Sequence, residues 1–130
     1  MKGYVLDTGA LIALERNSAF MLTILKQVRD GKVQAVLPRT VIAQVWRGTP
    51  KQANVARLIN SAVQVDGSVV FDELTEERAQ QIGIRMGAVH HPDIVDVHVA
   101  LAAAERGHAV LTSDDADIAK VSSGLVLIHV

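Results

Sequence analysis

The sequence has 130 residues, a formal net charge of −1 and no cysteine, which excludes disulfide bonds and thiolate metal sites. Its length fits a single domain, residues 1–130, and its one Trp, one Tyr and two Phe leave the core to aliphatic side chains. No apolar run approaches the about 20 residues that span a bilayer, and residues 1–3 run into a strand without room for a signal peptide, so we expect a cytoplasmic protein without membrane contact.

Short aliphatic runs alternate with helical patterns along the chain. In chain order, the pattern predicts a strand at 4–6, helices at 9–16 and 18–29, a strand at 34–37, and helices at 40–47 and 50–63. It then predicts a strand at 68–71, helices at 75–87 and 92–106, a strand at 109–111, a helix at 114–121 and a strand at 125–130. This alternation indicates an α/β fold with a central, mostly parallel five-stranded sheet flanked by helices.

Aspartates follow the ends of two predicted strands. Asp7 ends the first strand, and Asp114 follows the fourth by two residues. Because ligands bind beyond the carboxyl ends of the strands in open parallel sheets, both side chains should lie at the same edge. Each also has a simpler explanation, since Asp7 could form a turn and either Asp114 or Ser113 could cap the following helix.

A second pair of aspartates lies at the start of the longest helical pattern, PDIVDVHVALAAAERG. Asp93 and Asp96 are three residues apart and should share a helix face, where Asp93 could simply complement the helix dipole. Asp96 lies a turn further in, among apolar residues typical of a core, and a buried carboxylate needs a cationic partner. Carboxylates that converge at one edge repel each other, and Mg²⁺ or Mn²⁺ with oxygen ligands would resolve the repulsion.

Charge is distributed unevenly along the chain. Residues 31–65 contain no acid, whereas residues 66–117 contain eleven acids. This pattern fits a metal pocket beside a phosphate-binding surface, and it equally fits a solvated surface of uneven composition.

Four sequence blocks, taken together, resemble the motifs of PIN domains: YVLDTGALIALE, LPRTVIAQVWRG, DIVDVHVALAA and VLTSDDADI. The resemblance covers essentially the whole chain and implies a PIN-like three-layer sandwich. By this resemblance the metal-binding acids are Asp7, Asp96 and Asp114, Asp117 joins them as a catalytic acid, and Thr112 or Ser113 supplies a hydroxyl beside the site. The implied activity is that of the VapC toxin type, a Mg²⁺- or Mn²⁺-dependent endoribonuclease that cuts single-stranded or loop RNA.

The same resemblance implies partners. VapC-type toxins are usually silenced by a VapB-type antitoxin, whose tail fills the active-site groove, and they commonly form homodimers. RNA is the implied substrate. We expect Arg39, Arg47 and Lys51, all within the acid-free stretch, to contact its backbone.

One position departs from the resemblance. The second block usually carries a glutamate where this sequence has Gln44, which can offer a carbonyl oxygen but no charge. We expect Gln44 to face the same cavity as the acids, because a lone amide among apolar neighbours needs a polar partner. Glu15, eight residues after Asp7, could compensate for the lost charge or be an exposed acid. The main alternative function is therefore a PIN module that binds RNA or a protein without efficient cleavage.

Two other folds share part of the pattern. Leu6 to Ala10 spell LDTGA, as in retroviral-type aspartic proteases, but there the motif joins strands of an all-β dimer, and here helical patterns fill most of the chain. A phosphoacceptor receiver domain also carries aspartates at a sheet edge. It requires an acidic pair after the first strand and a lysine after the last, and this sequence has neither.

The histidines and the single tryptophan have simpler interpretations than catalysis. His90 and His91 precede a helix and are expected to form a solvated connector rather than a metal site. His98 lies two residues after Asp96, about 200° around a helix, so it should face away from Asp96 and pack in the core or at an interface. Trp46 is expected in the core or at a dimer contact rather than stacked on a base.

Overall fold

A computed structural model describes residues 2–64 and 67–130. In chain order its elements are β1 (Gly3–Leu6), α1 (Thr8–Glu15), α2 (Ala19–Arg29), β2 (Gln34–Pro38), α3 (Arg39–Val45), a 3₁₀ turn (Pro50–Gln52), α4 (Ala53–Gln64), β3 (Val69–Asp72), α5 (Glu76–Val89), α6 (Ile94–Arg106), β4 (Ala109–Thr112), α7 (Asp115–Val121) and β5 (Leu127–His129). Each predicted strand and helix is present in the predicted order.

The five strands form one sheet in the order β3-β2-β1-β4-β5, and every pairing in it is parallel. The connections from β1 to β2 and β3 run in one direction across the sheet, and those from β4 to β5 run in the other. Because such crossovers are right-handed, α1 to α4 belong to one face and α5 to α7 to the other. Contacts agree: α1 packs on α2 and α4, α6 packs on α5 and α7, and α3 touches both α1 and α6. The predicted α/β architecture is confirmed.

The core is aliphatic, as the composition requires. All four residues of β1 are buried, and Leu6, Leu37 and Leu111 on the three central strands are completely enclosed. Continuous burial on both faces is typical of parallel strands covered by helices. Two predicted helix caps are also confirmed, because Ser18 accepts a hydrogen bond from the backbone of Met21 and Thr75 accepts one from that of Arg78.

Three predicted boundaries were wrong. The third helix ends at Val45 rather than at residue 47, since the amide oxygen of Gln52 accepts hydrogen bonds from the backbone N–H groups of Arg47 and Gly48 and holds them outside the helix. Residues 50–52 form a 3₁₀ turn before α4 begins. The last strand is three residues long instead of six.

Trp46 follows α3 in an extended conformation and is 41% exposed, so the core position considered for it was wrong. Within residues 2–64 and 67–130, none of the helices combines the length and the apolar character needed to traverse a bilayer.

Candidate functional site

The strand order locates a crevice between β1 and β4. These strands are neighbours in the sheet, and the chain leaves their carboxyl ends in opposite directions. Such a switch point is where open α/β sheets bind ligands. Asp7 follows β1 directly, and Asp114 follows β4 by two residues. Both predicted acids are therefore at the same edge, on the two sides of the crevice.

Asp7 is fixed in place by two hydrogen bonds. It is 1% exposed, its Oδ1 accepts from the backbone N–H of Thr8 at 2.7 Å, and its Oδ2 accepts from the hydroxyl of Thr112 at 2.7 Å. Burial raises the pKa of Asp7 above its ordinary value despite these bonds, and the charges of Asp114 and Asp93 raise the pKa further. The carboxylates of three different loops therefore act on one another.

The sequence left open whether Thr112 or Ser113 supplies the hydroxyl beside the site, and in the structure Thr112 contacts Asp7. Its fully buried side chain donates to Asp7 and accepts the backbone N–H of Asp114 at 2.9 Å, which ties the end of β1 to the loop after β4. Asp114 occupies the cap position of α7, but its side chain makes no capping hydrogen bond. The capping explanation for Asp114 is therefore wrong, and its carboxylate is available for another role.

Ser113 has a steric role. A Cβ atom added to Gly9 would lie 1.9 Å from the Oγ of Ser113 and 2.9 Å from its backbone nitrogen, closer than real Cβ atoms approach. Only glycine at residue 9 therefore lets the first turn of α1 approach the β4–α7 loop this closely. The close approach brings the loop that carries Asp114 next to the helix that Asp7 caps.

The two aspartates of the second pair, Asp93 and Asp96, have different roles. Asp93 lies outside α6 as its cap, and its Oδ1 accepts from the backbone N–H groups of Val95 and Asp96. The predicted shared helix face was wrong, and the helix-terminus explanation for Asp93 was right. Asp96, in the first turn of α6, is 7% exposed. Burial raises the pKa of Asp96 to about 6, with Asp93 and Asp7 adding to the rise and a hydrogen bond from His91 opposing it.

His91 belongs to this site, contrary to the expectation of a solvated connector. Its Nε2 lies 2.9 Å from Oδ2 of Asp96, and the side chain is only 9% exposed. His90 adopts a left-handed conformation (φ 55°) that turns the chain back after α5. This turn places His91 against the first turn of α6. Residue spacing does not predict this contact.

The resulting group of Asp7, Asp93, Asp96 and Asp114 has the chemistry of a hard-cation site. Neither Asp7 nor Asp114 has an ion pair with a Lys, Arg or His in the part of the chain that the structure describes, and all four offer carboxylate oxygens, the donors that Mg²⁺ and Mn²⁺ prefer. Among residues 2–64 and 67–130, no three His, Asp or Glu side chains are placed so that they could hold one metal ion together. The donor set therefore fits a cation that keeps several waters and takes one or two carboxylates directly, as Mg²⁺ usually does.

Gln44 lies at the rim of the site. Its side chain is exposed, and its Oε1 accepts a hydrogen bond from the hydroxyl of Thr8, the residue after Asp7. Glu15, Gln44 and Arg47, together with Thr8, line an open groove of about 430 Å³. The prediction that Gln44 faces the same cavity as the acids was wrong, because its side chain lies at the surface and the groove it lines contains none of Asp7, Asp96 and Asp114. Glu15 lies within 3.5 Å of the amide of Gln52 and is not brought to the buried acids.

The remaining predicted residues lie further out. Asp117 is half exposed and pairs with Lys120 at 3.5 Å. Arg39 pairs with Glu73 at 3.0 Å and lies over the ring of Phe71. Lys51 and Arg47 are exposed.

A third buried acid, at the same sheet edge, was missed. Asp72, the last residue of β3, accepts two hydrogen bonds from Arg78 at 2.9 Å, one from Arg106 at 2.7 Å and one from His98 at 2.7 Å. Burial opposes the charge of Asp72, but these donors outweigh it and lower the pKa of Asp72 to about 2. The position of Asp72 directly after an aliphatic strand, like that of Asp7, was the signal that could have revealed it.

His98 is completely buried within this Asp72 network, with its Nδ1 2.7 Å from the hydroxyl of Thr40. The prediction that it packs inside and faces away from Asp96 is confirmed. Burial lowers the pKa of His98. The ring therefore donates from Nε2 to Asp72 and accepts from Thr40, linking β3, α6 and α3.

Comparisons with known proteins agree with this architecture. The family model of the PIN domain matches residues 4–123. Among solved structures, the chain is similar to VapBC2 from Rickettsia felis bound to a promoter DNA fragment, with a TM-score of 0.68, 13% identity and 98% of each chain covered. It is also similar to FitAB bound to a DNA fragment (TM-score 0.58, 14% identity, 97% of this chain and 94% of that chain covered) and to FitAcB from Neisseria gonorrhoeae (0.54, 17%, 96% and 96%). No curated protein matches.

Proposed function

We propose that this chain, which belongs to the PIN domain family, is a Mg²⁺- or Mn²⁺-dependent endoribonuclease that cuts single-stranded or loop RNA and serves as the toxin of a toxin–antitoxin pair. PIN domains are generally nucleases and typically use divalent metal ions. The observation that carries the proposal is that Asp7, beside the switch point of the sheet, interacts electrostatically with both Asp96 and Asp114, and that none of the three is paired with a Lys or Arg among the described residues.

One or two of the carboxylates of Asp7, Asp96 and Asp114 would bind the cation directly, and the remainder would hold waters of its hydration shell. When bound, the cation would lower the pKa of a coordinated water and stabilise the charge that develops on the phosphate. Thr112 keeps Asp7 in one orientation and holds the backbone of Asp114. Asp93 caps α6 and thereby orients the turn that carries Asp96, and its negative charge helps to raise the pKa of Asp96.

The RNA would enter along the groove beside Thr8. Arg47 lines this groove and Lys51 lies at the start of the next helix, so both can contact the phosphate backbone. Arg39 would reach the RNA only by exchanging its exposed partner Glu73 for a phosphate. Unpaired RNA is the expected substrate, since the deep groove of an A-form helix hides its base edges from side chains.

The proposed regulator is a VapB-like antitoxin. The support is the similarity of the fold to the chains of VapBC2 and FitAB. A homodimer of this chain belongs to the same proposal, and light scattering of the purified chain tests it.

The test uses purified chain, free of any partner, with a panel of structured RNAs and either Mg²⁺ or Mn²⁺. We expect cleavage in unpaired segments, loss of cleavage with EDTA, and at least a 100-fold loss for Asp96→Asn, because the substitution removes a full ligand charge while keeping the shape. Asp30→Asn is the matched control, since Asp30 ends α2 at the opposite edge of the sheet and is exposed.

Cleavage that survives both EDTA and Asp96→Asn would contradict the proposal. Binding of RNA and metal without cleavage would instead support the alternative, a PIN module that does not cut. The observation that favours this alternative is Gln44, whose amide oxygen already accepts from Thr8 and brings no charge to the acids.

A further inference from the structure

His91 makes the closest contact to Asp96 and has no role in the proposal above. Its Nε2 lies 2.9 Å from Oδ2 of Asp96, and the two side chains are only 9% and 11% exposed. A histidine this enclosed, with a carboxylate as the partner of its ring, makes a directed contact rather than a chance surface pairing.

The contact is built by the local backbone. The helix α5 ends at Val89, His90 takes the left-handed conformation, and the backbone N–H of His91 then returns to the carbonyl of Met86 at 3.3 Å. Pro92 follows, and Asp93 caps α6. The short connection is thus held at both ends, so the ring of His91 is fixed relative to the first turn of α6.

The hydrogen bond from His91 makes the two carboxylate oxygens of Asp96 inequivalent. Oδ2 accepts from His91, whereas Oδ1 has no donor among the residues that the structure describes. Every fully buried polar side-chain atom in those residues has a partner, so Oδ1 must be open to solvent. An imidazole N–H that holds one oxygen of a carboxylate leaves the other free for a cation in a fixed direction.

We propose that His91 is a positioning residue that holds Asp96 by an Nε2–H···Oδ2 hydrogen bond and thereby orients the free oxygen toward the cation. The inference rests on the proposed function, because it concerns the same metal. Hydrogen-bonded partners of carboxylate ligands typically affect metal affinity by about 10- to 100-fold. Because His91 acts through Asp96, its loss should weaken Mg²⁺ and Mn²⁺ alike.

The experiment is calorimetric titration of the full chain with Mg²⁺ and, separately, with Mn²⁺, without RNA. We expect His91→Ala to raise both Kd values by about 10- to 100-fold. His91→Gln keeps an N–H donor of similar reach and should recover part of the affinity for both metals. His90→Asn is the matched control in the same loop, since asparagine tolerates the left-handed conformation, and it should bind like the wild type.

Each outcome decides between the alternatives. Unchanged Kd values for His91→Ala would overturn the positioning role, as would tighter binding, which would mean that His91 competes with the metal. A loss for Mn²⁺ alone would overturn it in favour of direct ligation, because nitrogen ligands favour transition metals. If the wild type binds neither metal, the proposed function fails together with this role, a pattern distinct from a defect confined to the variants.

Discussion

Two buried acids, Asp72 and Asp96, lie at the carboxyl edge of the same sheet, and their surroundings differ in charge. Asp72 is surrounded by Arg78, Arg106 and His98, which lower its pKa to about 2. Asp96 lies near Asp7 and Asp93, and its pKa is raised to about 6. Both are nearly inaccessible to solvent, so burial alone does not explain the difference. The fold neutralises Asp72 with two arginines and a histidine, whereas Asp96 has only His91 as an ion-pair partner among the described residues.

This contrast gives Asp72 and Asp96 different expected effects on stability. A carboxylate with a low pKa and several donors stabilises the fold, whereas acids that repel one another reduce stability unless something cationic joins them. Structural networks also perturb pKa values, as Asp72 illustrates. A shifted pKa alone therefore does not identify a functional acid, and the direction of the shift and the charges of the neighbours must be considered. The following predictions test the comparison by substituting one of the two acids at a time.

The largest effect should come from Asp72→Asn. It leaves Arg78 and Arg106 without their buried counter-charge, and breaking such a pair typically costs about 3–5 kcal/mol. Urea denaturation at pH 7.5 measures this loss in the free energy of unfolding. Glu73→Gln is the matched control, because it breaks the exposed pair with Arg39 and should cost less than about 1 kcal/mol. Equal losses in the two variants would remove the structural role given to Asp72.

The same network should weaken in acid. Because the pKa of Asp72 is lowered from 3.8 to about 2, its contribution is present above pH 3.8 and is lost as the pH falls toward 2. A shift of this size corresponds to about 2 kcal/mol. The difference in unfolding free energy between the wild type and Asp72→Asn should therefore shrink by about that amount between pH 5 and pH 2. A difference that stays constant over this range would show that the charge of Asp72 is not what stabilises the fold.

Asp96→Asn should have the opposite sign. The raised pKa of Asp96 means that its negative charge costs stability in the metal-free protein at neutral pH. Full conversion of the shift gives about 3 kcal/mol, and burial of the asparagine amide offsets part of it, so we expect a gain of about 1 kcal/mol in the presence of EDTA. A loss of stability in that buffer would mean that Asp96 is a structural acid like Asp72.

Local features of both regions were predictable from the sequence, and contacts between distant segments were not. The positions of Asp7 and Asp114 followed from strand ends, and the caps Ser18 and Thr75 from residue type, because these depend on a few neighbouring residues. The partners of Asp72 come from two different helices, one of them 34 residues away. Which charges surround a buried acid therefore depends on packing that one sequence does not specify.

Two further differences between the prediction from sequence and the structure also arise from contacts that residue type and spacing do not indicate. The end of α3 is set by the amide of Gln52, which reaches back from the next element. The contact between His91 and Asp96 needs a left-handed His90, a conformation that residue type does not indicate. Spacing predicted correctly that His98 faces away from Asp96, but it gave no means of identifying Thr40 and Asp72 as its partners.

The central claim is that the group of Asp7, Asp93, Asp96 and Asp114 binds a cation. Thermal unfolding of the RNA-free chain with and without Mn²⁺ tests it most directly. At a free concentration 100 times Kd, a ligand that binds only the folded state adds about 2.7 kcal/mol of stability. We predict a rise in Tm of several degrees for the wild type, the same rise for Asp30→Asn, and none for a chain carrying both Asp7→Asn and Asp96→Asn. An equal rise in the double variant, or no rise in the wild type at any Mn²⁺ concentration, would contradict the account.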